Sequence, residues 1–85
     1  MSKQEIVIED IVNKYENPIA ELVRVACQFS STIILADDAH RVNAKSIMGI
    51  MAFKPVGGKN VSIEATGEDE DAAVEAMTEF LLCKE

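Results

Sequence analysis

The sequence predicts an α+β fold in which a layer of helices packs on one face of a sheet. Three observations predict it. Short β-branched or alternating apolar segments indicate strands, segments with apolar residues every three or four positions indicate helices, and capping or turn residues separate the segments. Read in order, the segments give βαββαβα. Strands and helices that are each apolar on one side bury those sides against one another, as in a two-layer sandwich.

A strand and a helix are predicted first. The β-branched run 6–8, with Ile11 and Val12 beyond it, predicts the strand. Asn17 and Pro18 predict a helix start, because Asn caps free N–H groups and Pro is tolerated at the first helical position. Ser30 and Ser31 end this helix, and one of its faces is apolar: Ile19, Leu22, Val23, Ala26 and Phe29.

A hairpin and a short helix are predicted next. Residues 32–35 and 40–42 are the strands, joined through the turn-forming pair Asp37 and Asp38. Ser46 is a favoured N-cap, so a helix is expected from Ile47 to about Phe53. His40, the only histidine, is expected on the solvated side of the hairpin.

The last predicted elements are an alternating strand and an amphipathic helix. Pro55, Gly57 and Gly58 interrupt the chain. Val61, Ile63 and Ala65 alternate with polar residues, as in a half-buried strand. After Gly67 a helix begins, with its apolar face formed by Ala73, Val74, Met77, Phe80 and Leu81.

The acidic run 68–71 is interpreted as the solvated first turn of that helix, where carboxylates favour the positive end of the helix dipole. It lacks the D-x-D-x-D-G spacing of a calcium loop, so no metal site is predicted.

Cys27 and Cys83 lack a CxxC motif and a neighbouring histidine, and we expect two buried thiols. No cofactor is predicted.

The length and net charge of the chain limit the number of domains and the kinds of partner it can have. The chain has 85 residues, enough for one domain spanning 1–85, and 48 % of them are apolar. A net charge of −7 without a basic cluster argues against nucleic-acid binding. No apolar run reaches the roughly 18 residues of a membrane span, and the N-terminus does not resemble a signal peptide. We therefore expect a cytoplasmic protein that does not bind a membrane.

The segment 42–51, VNAKSIMGIM, resembles the stretch around the regulatory serine of the HPr family and its Crh-type paralogues. Pro18 lies where that family has the proline after its active-site histidine, and residues 67–70 with the helix behind them resemble its C-terminal part. The resemblance spans essentially the whole chain. It implies an open-faced βαββαβα sandwich with a four-stranded antiparallel sheet, in agreement with the pattern of elements.

This sequence differs from the family at the segment that corresponds to the phosphocarrier motif. The family motif Gly-(Ile/Leu)-His-Ala-Arg-Pro corresponds here to NKYENP, so Tyr15 occupies the histidine position and Asn17 the arginine position. Imidazole is a good nucleophile near neutral pH, whereas a phenol has a pKa near 10. Glu16 and Glu21 add negative charge nearby. We predict no phosphocarrier activity, no enzymatic activity, and a partly exposed Tyr15 that packs its ring rather than accepting phosphate.

Ser46 supports two interpretations. Its local chemistry requires only a helix cap, whereas the resemblance implies phosphorylation by an HPr kinase/phosphorylase. The resemblance further implies a docking surface formed by Lys45, Ile47, Met48, Gly49 and Met51. Gly49 would leave room for a partner's backbone, and Met side chains suit an adaptable contact. At least one of Ile47, Met48 and Met51 is expected in the core.

The function implied by the resemblance is regulatory. A chain related to the sugar phosphotransferase system, phosphorylated at Ser46, would act in carbon catabolite regulation by contact with a LacI-type catabolite control protein, CcpA. The loss of arginine at Asn17 weakens the case for that partner, and a homodimer is left open. Two alternatives remain: a diverged phosphotransferase relay protein, and a paralogue with a new partner in which Ser46 is only a cap.

Overall fold

The computed structural model describes residues 1–84, which form a four-stranded sheet and four helices. The sheet order is β1-β4-β2-β3, and each neighbouring pair is antiparallel. This architecture confirms the predicted α+β class. The elements are β1 (Ser2–Val7), α1 (Ile11–Lys14), α2 (Pro18–Cys27), β2 (Thr32–Ala36), β3 (Arg41–Asn43), α3 (Ile47–Phe53), β4 (Asn60–Thr66) and α4 (Glu70–Leu81).

The central strand β4 shows how the sheet separates its two faces. Val61, Ile63 and Ala65 are buried, and α4 packs on this strand and on β1. The alternate residue Glu64 lies on the opposite face, where Arg41 of β3 binds it at 2.8 Å. The predicted alternation of β4 and the predicted apolar face of α4 are both confirmed, and they place the core between sheet and helices. Within residues 1–84, no helix is long and apolar enough to cross a membrane.

The first strand differs from its prediction. It runs from Ser2 to Val7, pairing along β4 from Ser2↔Ala65 to Val7↔Asn60, and Ile8 lies beyond it. Ile11, interpreted as a possible continuation of the strand, instead begins the short helix α1 and is fully buried. The strand was hard to recognise because Lys3 and Glu5 are polar residues of an edge strand. Its pairing, not its own hydrophobicity, makes it a strand.

Asn17 occupies the N-cap position of α2, but the predicted side-chain cap is wrong. The Asn17 side chain makes no capping hydrogen bond, and only its carbonyl enters the helix by accepting from the Glu21 N–H at 3.0 Å. Pro18 is the first helical residue, as predicted. The hairpin is confirmed with a shift of one residue, since β3 begins at Arg41 rather than His40.

The acidic run is not simply solvated, contrary to the prediction. Asp69 accepts the backbone N–H groups of Ser30 and Ser31, each at 2.9 Å, and also binds the Ser31 hydroxyl. These bonds hold the pKa of Asp69 low, at about 2, with the Ser31 hydroxyl as the largest cause. Glu70 binds the N-terminal ammonium at 3.0 Å, which lowers the pKa of Glu70. The run therefore ties α4 to the end of α2 and to the start of the chain.

The prediction of two buried thiols is also wrong. Cys27 is exposed and Cys83 is partly buried, and both are free. Cys27 is the last residue of α2 and lies on the side of that helix away from Leu22 and Ala26, which are fully buried. Cys27 is not among the residues of the predicted apolar face of α2, and the structure likewise places it outside that face.

Candidate functional site

Tyr15 lies between α1 and α2 and packs against α4. Its hydroxyl donates to the Phe80 carbonyl at 2.9 Å, and its ring stacks on the Phe80 ring with centroids 4.2 Å apart and planes 6° apart. The ring is partly buried against the core. The prediction that Tyr15 packs its ring is confirmed, and the hydroxyl is engaged as well.

The connection between β1 and α1 also binds the C-terminal end of α4. The Glu9 N–H donates to the Leu81 carbonyl at 2.9 Å, one residue beyond the carbonyl that Tyr15 binds. Helix C-terminal carbonyls carry partial negative charge. The residue-15 region therefore faces the electronegative end of α4, an environment that disfavours an added anion.

The residues around Tyr15 carry charges of both signs, and Lys14, which directly precedes it, is exposed in the last turn of α1. Glu16 and Asn17 are exposed, and Glu21 is partly buried in the first turn of α2. A guanidinium at position 17 could bind a phosphoryl group through two parallel hydrogen bonds, which an amide cannot reproduce. The segment around Tyr15 therefore has a packed phenol, one lysine, two carboxylates and a helix C-terminus.

Ser46 lies at the start of α3 and is exposed. Its backbone is extended, and its hydroxyl oxygen accepts from the Gly49 N–H at 3.2 Å, so the predicted N-cap is confirmed. The preceding turn is fixed by Asn43, whose side chain accepts the Lys45 N–H at 2.8 Å and whose carbonyl accepts the Ser46 N–H at 3.0 Å. Ser46 is therefore exposed to solvent, and the turn that precedes it is held by hydrogen bonds.

Beside Ser46, α3 exposes an apolar surface formed by Ile47, Met48 and Met51, which we call the α3 surface. These residues are 48 %, 79 % and 56 % exposed, respectively. The expectation that at least one of the three lies in the core is wrong, because Ile50 and Phe53 fill the inward side of this seven-residue helix. All three are left available for contact.

The other two predicted docking residues are directed toward the chain itself. Lys45 is partly buried, and its ammonium donates to the Phe29 carbonyl at 2.7 Å, just beyond the end of α2. A Cβ atom at Gly49 would lie 3.4 Å from the Ser46 hydroxyl oxygen and 3.6 Å from the Val42 Cβ. These are ordinary van der Waals distances, so the packing of α3 against β3 does not require glycine at this position.

His40 lies in the turn between β2 and β3, with its side chain 62 % exposed. Its backbone N–H donates to the Asp37 carboxylate at 2.7 Å, and Lys59 binds the same carboxylate at 3.1 Å. These hydrogen bonds, with that of the Ala39 N–H first, lower the pKa of Asp37 to about 2. The solvated placement of His40 is confirmed. Residues 1–84 contain no group of three or more side chains that could hold a metal ion.

Phe80 is the site residue whose role the sequence did not reveal. Its position on the apolar face of α4 predicted a core residue, which it is, at 1 % exposure. Nothing in the local pattern linked it to Tyr15, 65 positions earlier. The contact arises only because α4 packs across β1 and β4 and so brings its last turn beneath the loop before α2.

Comparison with known proteins agrees with this geometry. Residues 2–82 match the family model described as the PTS HPr component phosphorylation site. The chain is 35 % identical to the HPr-like protein Crh of Bacillus subtilis over 95 % of each chain. It is 33 % identical to the phosphocarrier protein HPr of Mycoplasma capricolum, over 96 % of this chain and 92 % of that protein.

Solved structures give the same result. A crystal structure of HPr from Thermoanaerobacter tengcongensis superposes with a TM-score of 0.89 and 37 % identity, covering 99 % of this chain and 94 % of that one. Crh of Bacillus subtilis, crystallised as a dimer with a swapped domain, superposes with a TM-score of 0.75 and 33 % identity. The match covers 93 % of this chain and 86 % of that one. On both sequence and structure, the chain belongs to the HPr family of proteins related to the phosphotransferase system.

Proposed function

We propose that this protein is a cytoplasmic, non-catalytic regulator related to the sugar phosphotransferase system, which does not carry a phosphoryl group on residue 15. It is regulated by phosphorylation of Ser46 and acts by contact with other proteins. The observation that supports the first part is the Tyr15 hydroxyl, which donates to the Phe80 carbonyl at 2.9 Å. By the resemblance of the segment NKYENP, Tyr15 corresponds to the histidine of the family motif.

Two physical arguments support the loss of the carrier function. A phenol with an ordinary pKa near 10 is a weak nucleophile at neutral pH, and its phosphate ester transfers less readily than a phosphoramidate. Glu16, which follows Tyr15, and the C-terminal end of α4 oppose an incoming phosphoryl group, whereas Lys14 is the adjacent residue of opposite charge. A diverged relay protein would need another nucleophile, and exposed His40 lies in the β2–β3 turn, on a different element.

Phosphorylation at Ser46 is compatible with the local geometry. In the proposed reaction the Ser46 hydroxyl oxygen attacks the γ-phosphorus of ATP, the bond to the β-phosphate oxygen breaks, ADP leaves, and the hydroxyl proton passes to a base of the kinase. The serine is exposed at a fixed corner and precedes a helix, where added negative charge is favourable. The fold should therefore survive the modification.

The α3 surface supports a contact mechanism. Three large apolar side chains beside one serine give a partner an apolar anchor next to a charge that the kinase adds. A partner carrying arginine could bind that phosphate through two hydrogen bonds. By family resemblance we propose the HPr kinase/phosphorylase as the modifying enzyme and a CcpA-type regulator as the partner, with a homodimer as a further assembly.

Intact-mass measurement tests the proposal. The protein is incubated in one reaction with ATP and HPr kinase/phosphorylase, and in another with phosphoenolpyruvate and enzyme I. Addition of one phosphate in the first reaction only, absent in Ser46→Ala, is the expected result. Addition in the second reaction would instead establish a relay protein. Addition in neither would favour the alternative of a new partner, with Ser46 serving only as a cap.

A further inference from the structure

The C-terminal end of α2 is held by side chains from two distant parts of the chain. From the turn before α3, the Lys45 ammonium donates to the Phe29 carbonyl at 2.7 Å. From the start of α4, Asp69 accepts the N–H groups of Ser30 and Ser31, each at 2.9 Å. The Phe29 N–H itself makes a long bond of 3.3 Å to the Ala26 carbonyl. The segment 29–31, which directly follows α2, is therefore held largely by side chains from distant parts of the chain.

We propose that Lys45 is a phosphate-sensitive clasp on α2. In the unmodified protein its ammonium holds the Phe29 carbonyl, and after phosphorylation of Ser46 it turns to the phosphate and releases that carbonyl. This inference rests on the proposed phosphorylation of Ser46 and adds its consequence: the modification is transmitted from α3 to the end of α2.

Charge and connectivity support the exchange of partners. The end of a helix carries about half an elementary negative charge, whereas a serine phosphate carries about −1.5 to −2 at neutral pH. Lys45 directly precedes Ser46 in sequence, so a phosphate on Ser46 would be within reach of its long and flexible side chain. The stronger anion on the neighbouring residue is the favoured partner.

The backbone around Lys45 is fixed, so the response is confined to the side chain. Asn43 binds the N–H groups of both Lys45 and Ser46, and the Ser46 oxygen binds Gly49. The lysine side chain is long and has several rotatable bonds. Its ammonium can change partner without any change in the turn, and the Phe29 carbonyl then bonds to water.

The test uses protein made by chemical synthesis with phosphoserine at position 46, so it does not depend on any kinase. Amide hydrogen exchange at Gln28 and Phe29 is compared between modified and unmodified protein. We expect protection to fall about tenfold, as expected when a charge-assisted hydrogen bond is lost. Unmodified Lys45→Met should show the same fall, Lys45→Arg should keep the native protection, and Lys84→Met is the control for loss of a remote positive charge.

The decisive comparison is phosphoserine 46 in the Lys45→Met background. The clasp predicts no further change at Gln28 and Phe29 there, because the ammonium is already absent. Unchanged protection in the modified native sequence would overturn the proposal, as would an equal fall in both backgrounds. Failure of a kinase to modify Ser46 would count against the proposed function but not against the clasp.

Discussion

The Tyr15 hydroxyl donates a hydrogen bond of 2.9 Å to the carbonyl of Phe80, and the two aromatic rings stack with their centroids 4.2 Å apart. This pair joins the loop before α2 to the last turn of α4. Tyr15 therefore has a structural role in this chain, and its contribution can be measured in the absence of any partner protein.

Removal of the Tyr15 hydroxyl should weaken the fold modestly. Tyr15→Phe keeps the stacked ring and loses one hydrogen bond, which should lower the free energy of unfolding by about 0.5–1.5 kcal/mol. Tyr15→Ala also loses the aromatic pair and the buried ring area, so it should cost more, about 3 kcal/mol or above. Urea unfolding with an unchanged m-value measures both. Equal losses in the two variants would show that the ring contributes nothing.

Introducing histidine alone at position 15 should not make this protein a phosphocarrier. Tyr15→His supplies the nucleophile, but Asn17 still lacks the positive charge that would bind the phosphoryl group. We expect little phosphorylation by enzyme I and phosphoenolpyruvate in the single variant and clearly more in Tyr15→His combined with Asn17→Arg. Acid-labile phosphate measures the product. Full activity in the single variant would show that position 17 is unimportant.

The stability of the protein should fall between about pH 4 and pH 2 in part because of Asp69. Its pKa is about 2 in the folded chain and 3.8 when unperturbed, so in this range the unfolded chain binds more protons. Its stabilising effect is complete above pH 4 and is lost as pH falls through the folded pKa. Thermal unfolding across this range should show a weaker pH dependence in Asp69→Asn. An identical dependence would mean that its bonds to Ser30 and Ser31 do not persist in solution.

The contribution of Ser46 to stability as a helix cap can be measured without phosphorylation. Ser46→Ala removes the acceptor of the Gly49 N–H and should cost about 0.5–2 kcal/mol. Ser46→Asp keeps an acceptor and places a carboxylate at the positive end of α3, so its stability should remain close to native. Chemical denaturation compares the variants. If alanine and aspartate are equally destabilising, then the hydrogen bond from Gly49 contributes nothing to stability.

Gly67 should be far less tolerant of substitution than Gly58. Both have positive φ, at 151° and 90°, but a Cβ at Gly67 would lie 2.5 Å from the Ser31 hydroxyl oxygen, whereas a Cβ at Gly58 would have no atom within 4 Å. Gly58→Ala should cost only backbone strain, about 1–2 kcal/mol. Gly67→Ala adds overpacking of about 1–3 kcal/mol. Similar midpoints of unfolding would contradict this difference.

Elements with a strong local pattern could be predicted from the amino-acid sequence alone. The alternation of Val61, Ile63 and Ala65 and the helical spacing from Ala73 to Leu81 each place one apolar side toward a core, whatever the neighbouring elements are. The Ser46 cap is equally local, since its acceptor and donor are three residues apart. The family resemblance was also readable from one continuous segment, 42–51, and the family model confirms it.

Tertiary structure decided which polar and aromatic side chains would meet. Asp69 looked like a residue of a solvated helix start, yet the packing of α4 beside the end of α2 gives it three hydrogen-bond donors 38 or 39 positions away. Edge strand β1 exists through its pairing with β4, and Tyr15 is held by a helix 65 positions away. Such contacts depend on the relative placement of whole elements, whereas hydrophobic periodicity reports only which side of each element is buried.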